Sequence, residues 1–426
     1  MSKDTSRLQV LHTSGVESRG LVYDGLEQFA RAKMQELLRM VLEEEVEAFL
    51  GRAKSERRDE DAPEGYRNGY GKERRFSTSI GTVTVRRPRV RDAEEKFISQ
   101  VLPLFRRQSK EVRALLPELY LHGLAQGDFE LAMRGLLGEG APLSASSIAR
   151  LKEVWKAEYA AWGQRRLDEL EVVYLWVDGI YVKAGLEKDK AALLVGVAGL
   201  SDGSKVIIEV ASGQRESVET WAAILRSLKA RGMNCPRLVI GDGSLGMWGA
   251  LRQVYPEAEE QRCWKHRMGN VLDRVSKKKQ GVAKELLQAT MYAPTEKEAV
   301  KRKQEFQNWA REQQFAKAAD LLDDDWERMV AYYAFPKEHW IHLRTTNPVE
   351  SPFSSVRLRT TAAKRFKKVD AATAMIWKLL MVAQQSFRKL NEPELLPRVH
   401  QGMICQDGIP ITKPNNQNRS AKRLAA

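Results

Sequence analysis

Three apolar runs in close succession constrain this chain most. "EVVYLWVDG" (171–179), "KAALLVGVAG" (190–199) and "SKVIIEVASG" (204–213) follow one another at short intervals. Each reads as a buried strand, and tight turns are predicted between them. "SVETWAAILRSLKARGM" then reads as a helix starting near Ser217, and "PRLVIGDGS" as a fourth buried strand ending in Asp242. "LGMWGALRQVYP" reads as a helix and "AEEQRCWKH" as a fifth strand. The order β-β-β-α-β-α-β predicts a mixed α/β core.

Helices flank this core. Residues 24–52 carry apolar residues at helical spacing and a Gly stop. A polar loop, "RAKSERRDEDAPEG", follows. "RRFSTSIGTVTVRRPRV" alternates apolar and polar around Ser79–Val90, which predicts a small arginine-rich β-hairpin turning at Gly81. Residues 109–165 return to helices, with a helix, a Gly-rich turn and a second helix capped by Ser144 or Ser146. That order suits a helix-turn-helix, a pattern also common in helix pairs that bind nothing. From Asn270 to about Ala334 the chain reads as helices only, and "AATAMIWKLLMVAQQSFRKL" as one more. The segments predicted are an N-terminal region at 1–108, a helical region at 109–165, the first part of the core at 166–269, an all-α insertion at 270–338, the second part of the core at 339–405, and a disordered tail at 406–426.

Charge is unevenly placed. The net charge is +14. Arg67, Lys72, Arg74, Arg75, Arg86, Arg87, Arg89 and Arg91 face a single Glu between them, and residues 344–426 hold fifteen Lys/Arg against five Asp/Glu. Two basic blocks suit a chain that grips a polyanion in two places, although solvated faces on unrelated elements carry the same pattern. No apolar run is long enough to span a membrane, no signal-peptide core is present, and three cysteines argue for a reducing cytosol.

The carboxylates carry the chemistry. Asp178 and Asp242 each end an apolar strand, where an unpaired charge is costly. Sites in open α/β sheets form beyond strand ends, so the two converge if their strands are neighbours. Either one alone reads better as a turn or cap residue. Glu350 stands alone among basic and hydroxyl residues in "HLRTTNPVESPFSSVRLRT" (342–360). On a continuous helix it shares a face with Ser354 and Arg357, while Arg359 points away. Three oxygen ligands suit Mg²⁺ or Mn²⁺, and a pair of such ions suits phosphodiester substitution. Cys263-x-x-His266 and His339-x-x-His342 allow a zinc reading, against which stands the long gap between the pairs. The alternative is a core cysteine with His266 bonding near the site or to a phosphate. Trp264, Trp309, Trp326 and Trp340 are predicted in the core.

The stretches "YRNGYGKERRFSTSIGTVTVRRPR", "YLWVDGIYVKAGLE", "VIGDGSLGMWGAL", "QRCWKHRMGNVLD" and "FPKEHWIHLRTTNPVESPFSSVRLRT" span about residues 35–405. In this order the chain resembles the Mutator-type family of bacterial insertion-sequence transposases, DDE enzymes with a ribonuclease H-like core. One departure is "TTAAKRFKKVD", which lacks the glycines that members often carry there. The resemblance implies Asp178, Asp242 and Glu350 as catalytic and metal-binding residues, separated by 64 and 108 positions, with two Mg²⁺ or Mn²⁺ ions. It implies double-stranded DNA, both element ends and target, as partner, contacted by the eight N-terminal basic residues together with Arg357 and Arg359. Cys263, His266, Arg344 and Asn347 are placed as supporting residues. A homo-oligomer, at least a dimer when active, and a place on the nucleoid of the bacterial cytoplasm follow from the same resemblance. The other readings are a domesticated, non-catalytic DNA-binding regulator and a structure-specific nuclease on the same fold.

Overall fold

The computed structural model describes residues 17–411 apart from 61, 104–106, 125–128, 138–144, 186–190, 214–216, 244 and 364. The chain divides into two units, Met1–Leu151 and Lys152–Ala426.

The first unit is built on one long helix, α1 (Glu17–Leu50), of 34 residues. Leu42, Val46 and Leu50 recur every fourth residue and are buried. Leu42 packs with Phe76, Val83, Val85 and Leu102, and Met34 and Leu38 lie against the same cluster. β1 (Tyr66–Tyr70) pairs antiparallel with β4 (Pro88–Arg91), and β2 (Arg74–Thr78) with β3 (Gly81–Val85). The single predicted hairpin is therefore two strand pairs. Its turn is Ser79–Ile80, because Thr78 already pairs with Gly81 across it. α2 (Lys110–Leu121) starts at Ser109, whose hydroxyl accepts the Val112 N–H at 3.4 Å. α3 (Phe129–Leu137) and α4 (Ala145–Gly163) follow. The predicted Gly-rich turn and the candidate cap Ser144 lie outside the described residues, and Ser146 sits inside α4.

The second unit carries a five-stranded sheet. β5 (Val172–Val182), β6 (Ala191–Leu200), β7 (Lys205–Gly213), β8 (Leu238–Gly241) and β9 (Glu259–Arg262) lie in the order β7-β6-β5-β8-β9. β5–β6 and β6–β7 pair antiparallel, β5–β8 and β8–β9 parallel. The architecture is mixed α/β, with the strand and helix order read from the sequence. β5 lies at the centre between β6 and β8, and the residues of all three are apolar toward both faces, as a covered sheet requires. α5 (Val218–Ala230), capped by Ser217, and α6 (Leu245–Val254) bury Trp221, Leu225, Trp248 and Leu251 in the same core as Leu175 and Val239.

α7 (Trp264–Leu272), α8 (Gln280–Met291), α9 (Glu296–Glu312) and α10 (Ala316–Asp320) have their own core around Val271, Leu287, Phe306 and Leu322, and α11 (Trp326–Val330) packs against β9. β9 stops at Arg262, so "CWKH" is not strand: Cys263 is the N-cap of α7. Trp264 and Trp340 are buried, whereas Trp309 and Trp326 are half-buried. The chain returns through α12 (Trp340–Leu343), α13 (Asn347–Glu350), α14 (Phe353–Ala363), α15 (Val369–Gln384) and α16 (Leu396–His400).

The predicted tail from 406 is partly ordered. β10 (Ile404–Gln406) and β11 (Ile409–Ile411) form a hairpin. Its two loop residues, Asp407 and Gly408, both have positive φ, as the turn favoured by the twist of a two-residue hairpin demands. Residues 412–426 lie outside the described residues.

Candidate active site

Asp178 and Asp242 occupy matching positions on neighbouring strands. β5 and β8 run parallel in the pairs Tyr174–Leu238, Leu175–Val239 and Trp176–Ile240. Continued two residues, that register sets Asp178 beside Asp242, at the same end of the sheet. Asp178 does not end its strand, however. β6 keeps supplying partners beyond it, pairing Asp178 with Val195 and Val182 with Ala191. Asp242 does follow the last residue of β8, and Gly243 after it has φ +96°, a conformation that suits glycine. Val177, Asp178, Gly179, Trp221, Gly241, Asp242 and Met247 line a small cleft there.

Glu350 reaches this point from α13, which packs against β5 and β6. Trp176 Nε1–H donates to the His342 carbonyl at 2.9 Å and ties β5 to the same segment. The continuous helix expected from Glu350 to Arg357 is absent. Pro352 has no N–H to carry the ladder onward, and a turn at Ser351–Pro352 separates α13 from α14. The shared-face argument for Glu350, Ser354 and Arg357 therefore fails, although Ser354 and Arg357 are exposed. Arg359 is buried, at 3 % exposure, and has no surface to offer a phosphate.

The charges of Asp242 and Glu350 both act on Asp178. Burial pushes the Asp178 carboxyl up to about 7; the Gly179 N–H and His266 oppose this, and the charges of Glu350 and Asp242 add to it. Burial also works to raise Glu350. Hydrogen bonds from Lys265 and Thr346 outweigh it, with help from His266, and leave Glu350 below the usual range. Lys265 Nζ lies 2.6 Å from Glu350 Oε2, and Thr346 Oγ1 donates to Oε1 at 2.6 Å. His266 is raised to about 9, first by its hydrogen bond with Cys263, against burial, and then by the charges of Cys263, Asp178 and Glu350.

Cys263, His266 and Glu350 bring one ligand atom each within 4.8 Å of one another. The thiol is already engaged: the Thr346 N–H donates to Sγ at 3.3 Å, and Thr346 Oγ1, whose proton goes to Glu350, also lies 3.3 Å from Sγ. Burial pushes Cys263 up, yet hydrogen bonds from His266 and Thr346 bring it below its ordinary value. The other half of the four-ligand zinc reading is bound elsewhere. His339 Nδ1 meets the Tyr174 hydroxyl at 2.8 Å, and His342 Nε2 accepts the Asn391 N–H at 3.2 Å. Of the hard oxygen donors, Asp178 and Asp242 line one cleft and the charge of Glu350 acts on Asp178, which burial pushes toward neutrality. That set fits a hard divalent cation, whose charge would compensate theirs.

The remaining expected residues scatter. Arg344 stacks over Tyr292, Tyr332 and Trp340 at 5.0–5.2 Å, and its carbonyl accepts the Trp264 N–H at 2.9 Å. It joins the helical insertion to the Glu350 segment. Asn347 opens α13, exposed. In the first unit, Arg67 is paired with Glu43 at 3.2 Å and Glu47 at 3.4 Å, so it holds β1 to α1. Arg86 pairs with Glu73 at 2.8 Å and Arg91 with Asp92 at 3.6 Å. Arg74 and Arg87 are half-buried, while Lys72, Arg75 and Arg89 are exposed. Thr346 and Lys265 were missed in the sequence. A threonine one turn before Glu350 was the available signal for the first.

Comparison with known proteins supplies a family. The profile described as "Transposase, Mutator family" matches residues 5–389. The transposase for insertion sequence element IS6120 of Mycolicibacterium smegmatis is 41% identical over 302 residues, 71% of this chain and 93% of that one. The transposase for insertion sequence element IST2 of Acidithiobacillus ferrooxidans is 36% identical over 295 residues, 68% of this chain and 99% of that one. Among solved structures, the Drosophila P element transposase strand transfer complex aligns at 12% identity with a TM-score of 0.29, over 67% of this chain and 83% of that one. That superposition is too distant to transfer any detail.

Proposed function

This chain belongs to the Mutator family of transposases, and we propose that it binds the terminal inverted repeats of its insertion sequence and catalyses metal-dependent strand cleavage and strand transfer. The core is read as ribonuclease H-like, a reading supported by the sheet order β7-β6-β5-β8-β9 with its antiparallel and parallel halves. The observation that carries the reading is the register that sets Asp178 beside Asp242, with the charge of Glu350 acting on Asp178.

Asp178, Asp242 and Glu350 are the residues we assign to hold two Mg²⁺ or Mn²⁺ ions. When bound, such ions supply charge stabilisation to the attacking and leaving oxygens of an in-line substitution. The chain's own part is positioning. β5 and β8 fix the two aspartates, and Thr346 orients Glu350 by one oxygen. Cleavage frees a 3′-hydroxyl at the element end, which then attacks the target phosphodiester by direct transesterification. No covalent protein–DNA link is required. The exposed Lys72, Arg75 and Arg89 are assigned to end binding, together with the other basic residues of that region, and Arg357 to phosphates at the site. Joining two ends requires at least two copies. Among the described residues no helix is long and apolar enough to cross a membrane; work on DNA places the chain on the bacterial nucleoid.

Strand-transfer assays on duplexes carrying the element ends test the proposal. Joined products that require Mg²⁺ or Mn²⁺ are expected. Binding without joining would identify a DNA-binding regulator, and cleavage of junctions or hybrids without end specificity a nuclease.

A further inference from the structure

The two oxygens of Glu350 are held in different ways. Oε1 takes the hydroxyl of Thr346, which is fully buried and also bonded to Cys263. Oε2 takes the ammonium of Lys265 at 2.6 Å, and the Lys265 side chain is 62% exposed. The backbone of Lys265 is fixed, because its neighbour Trp264 is buried and donates Nε1–H to the Met329 carbonyl at 2.7 Å. Its ammonium, at the end of a flexible four-carbon stem, is a mobile point charge. The hydrogen-bond partner of Oε1 is thus locked in the core, with His266 Nε2 standing off at 4.0 Å, and the partner of Oε2 can leave.

We propose that Lys265 is a stand-in cation for Glu350: it occupies Oε2 while the site holds no metal, leaves when a divalent ion binds, and then places its charge beside the DNA strand being cut. The proposal rests on Glu350 being a metal ligand. An exposed ion pair is weak, so a divalent ion shared by several carboxylates displaces it readily. Thr346 keeps Oε1 throughout, so the exchange proceeds without loss of the carboxylate's orientation. Lys265 is then a positioning residue before metal binding, and the released ammonium is a ready donor to phosphate.

The test is Mn²⁺ titrated into the full chain without DNA, with free ion followed by electron paramagnetic resonance. Lys265→Met should bind Mn²⁺ about fivefold more tightly, the scale of one exposed ion pair removed from competition. Lys265→Arg should stay within about twofold of the parent, since it keeps the charge. Glu350→Gln should bind about tenfold more weakly. If Lys265→Met gains no affinity while Glu350→Gln loses it, Lys265 does not compete and the proposal is overturned with the metal reading intact. If Glu350→Gln keeps the parent affinity, Glu350 is no ligand and both readings fall. At saturating Mn²⁺ and equal DNA occupancy, Lys265→Met should cleave about tenfold more slowly and Lys265→Arg near the parent rate. An unchanged rate for Lys265→Met removes the role at the DNA strand. The Lys265 side chain is 62% exposed and Glu350→Gln is nearly isosteric, and circular dichroism melts confirm the fold of each variant.

Discussion

Thr346 Oγ1 donates to Glu350 Oε1 at 2.6 Å from a position with no solvent exposure, and the same hydroxyl lies 3.3 Å from Cys263 Sγ. Thr346→Val keeps the shape and removes the donor. It removes the hydrogen bond of a half-buried carboxylate oxygen and leaves it only His266 Nε2 at 4.0 Å, at a cost of about 1–3 kcal/mol. We expect a lower Tm, weaker Mn²⁺ binding and slower cleavage, with all three restored by Thr346→Ser. If Ser fails to restore metal affinity while restoring Tm, the hydroxyl does not position Glu350.

Asp178 sets a pH dependence. Its carboxyl is raised from 3.8 to about 7 in the folded, metal-free chain. Between these values the folded chain holds a proton that the unfolded chain has released. The associated stability is therefore fully present below about 4 and is lost as pH rises through about 7. Asp178→Asn cannot ionise, so in EDTA its Tm relative to the parent should climb from about pH 5 to pH 8. Mn²⁺ affinity of the parent should rise over the same window, as binding needs the ionised form. Asp178→Asn should abolish cleavage and leave end binding nearly intact. A parallel pair of Tm curves would remove the assigned burial effect, and parent-rate cleavage in Mg²⁺ would remove the triad assignment.

End binding should depend on the first unit. A cut after Arg165 is unsafe, because Tyr159 donates to the Val210 carbonyl at 2.6 Å and Trp162 packs on Trp377 at 5.7 Å. Residues 152–426 are the better fragment. It should lose footprints on the element ends and keep weak, strongly salt-dependent affinity for any duplex. Identical footprints for the fragment and the full chain would place end recognition in the second unit.

Arg357 and Arg359 should separate function from packing. Arg357 is exposed, so Arg357→Ala should reduce strand transfer and lower the salt slope of DNA binding by about 1, with Tm unchanged. Arg359 is buried, so Arg359→Ala should cost roughly 2 kcal/mol of stability and leave the salt slope alone. Equal salt slopes in both variants would take Arg357 off the DNA.

The sheet could be read from the sequence because its strands are uninterrupted apolar runs, which only burial on both faces explains. The two aspartates stood out for the same reason, as charges abutting those runs. The end of β5 was misplaced because Gly179 and the exposed Tyr181 break the apolar run while β6 still supplies ladder partners. The turn at Ser351–Pro352 was written in the proline, but helical spacing was carried through it. The hairpin at 404–411 had its signal in Asp407–Gly408, hidden beside a polar terminus. Lys265 and Thr346 join across 85 and 83 residues, to Glu350 and Cys263 respectively. Such contacts leave no local period to read. The buried state of Arg359 was equally invisible, since composition around it is basic.

Glu350 arrives 108 residues after Asp242, with α7–α11 in between. During synthesis at about 5–20 residues per second, a chain that has completed β5 and β8 waits about 5–20 seconds before the glutamate leaves the ribosome. Every nascent or prematurely ended chain that stops between Asp242 and Glu350 thus carries two acids and lacks the third. The sequence order of the acids acts as a clock, and the site is completed only once the helical insertion has been made.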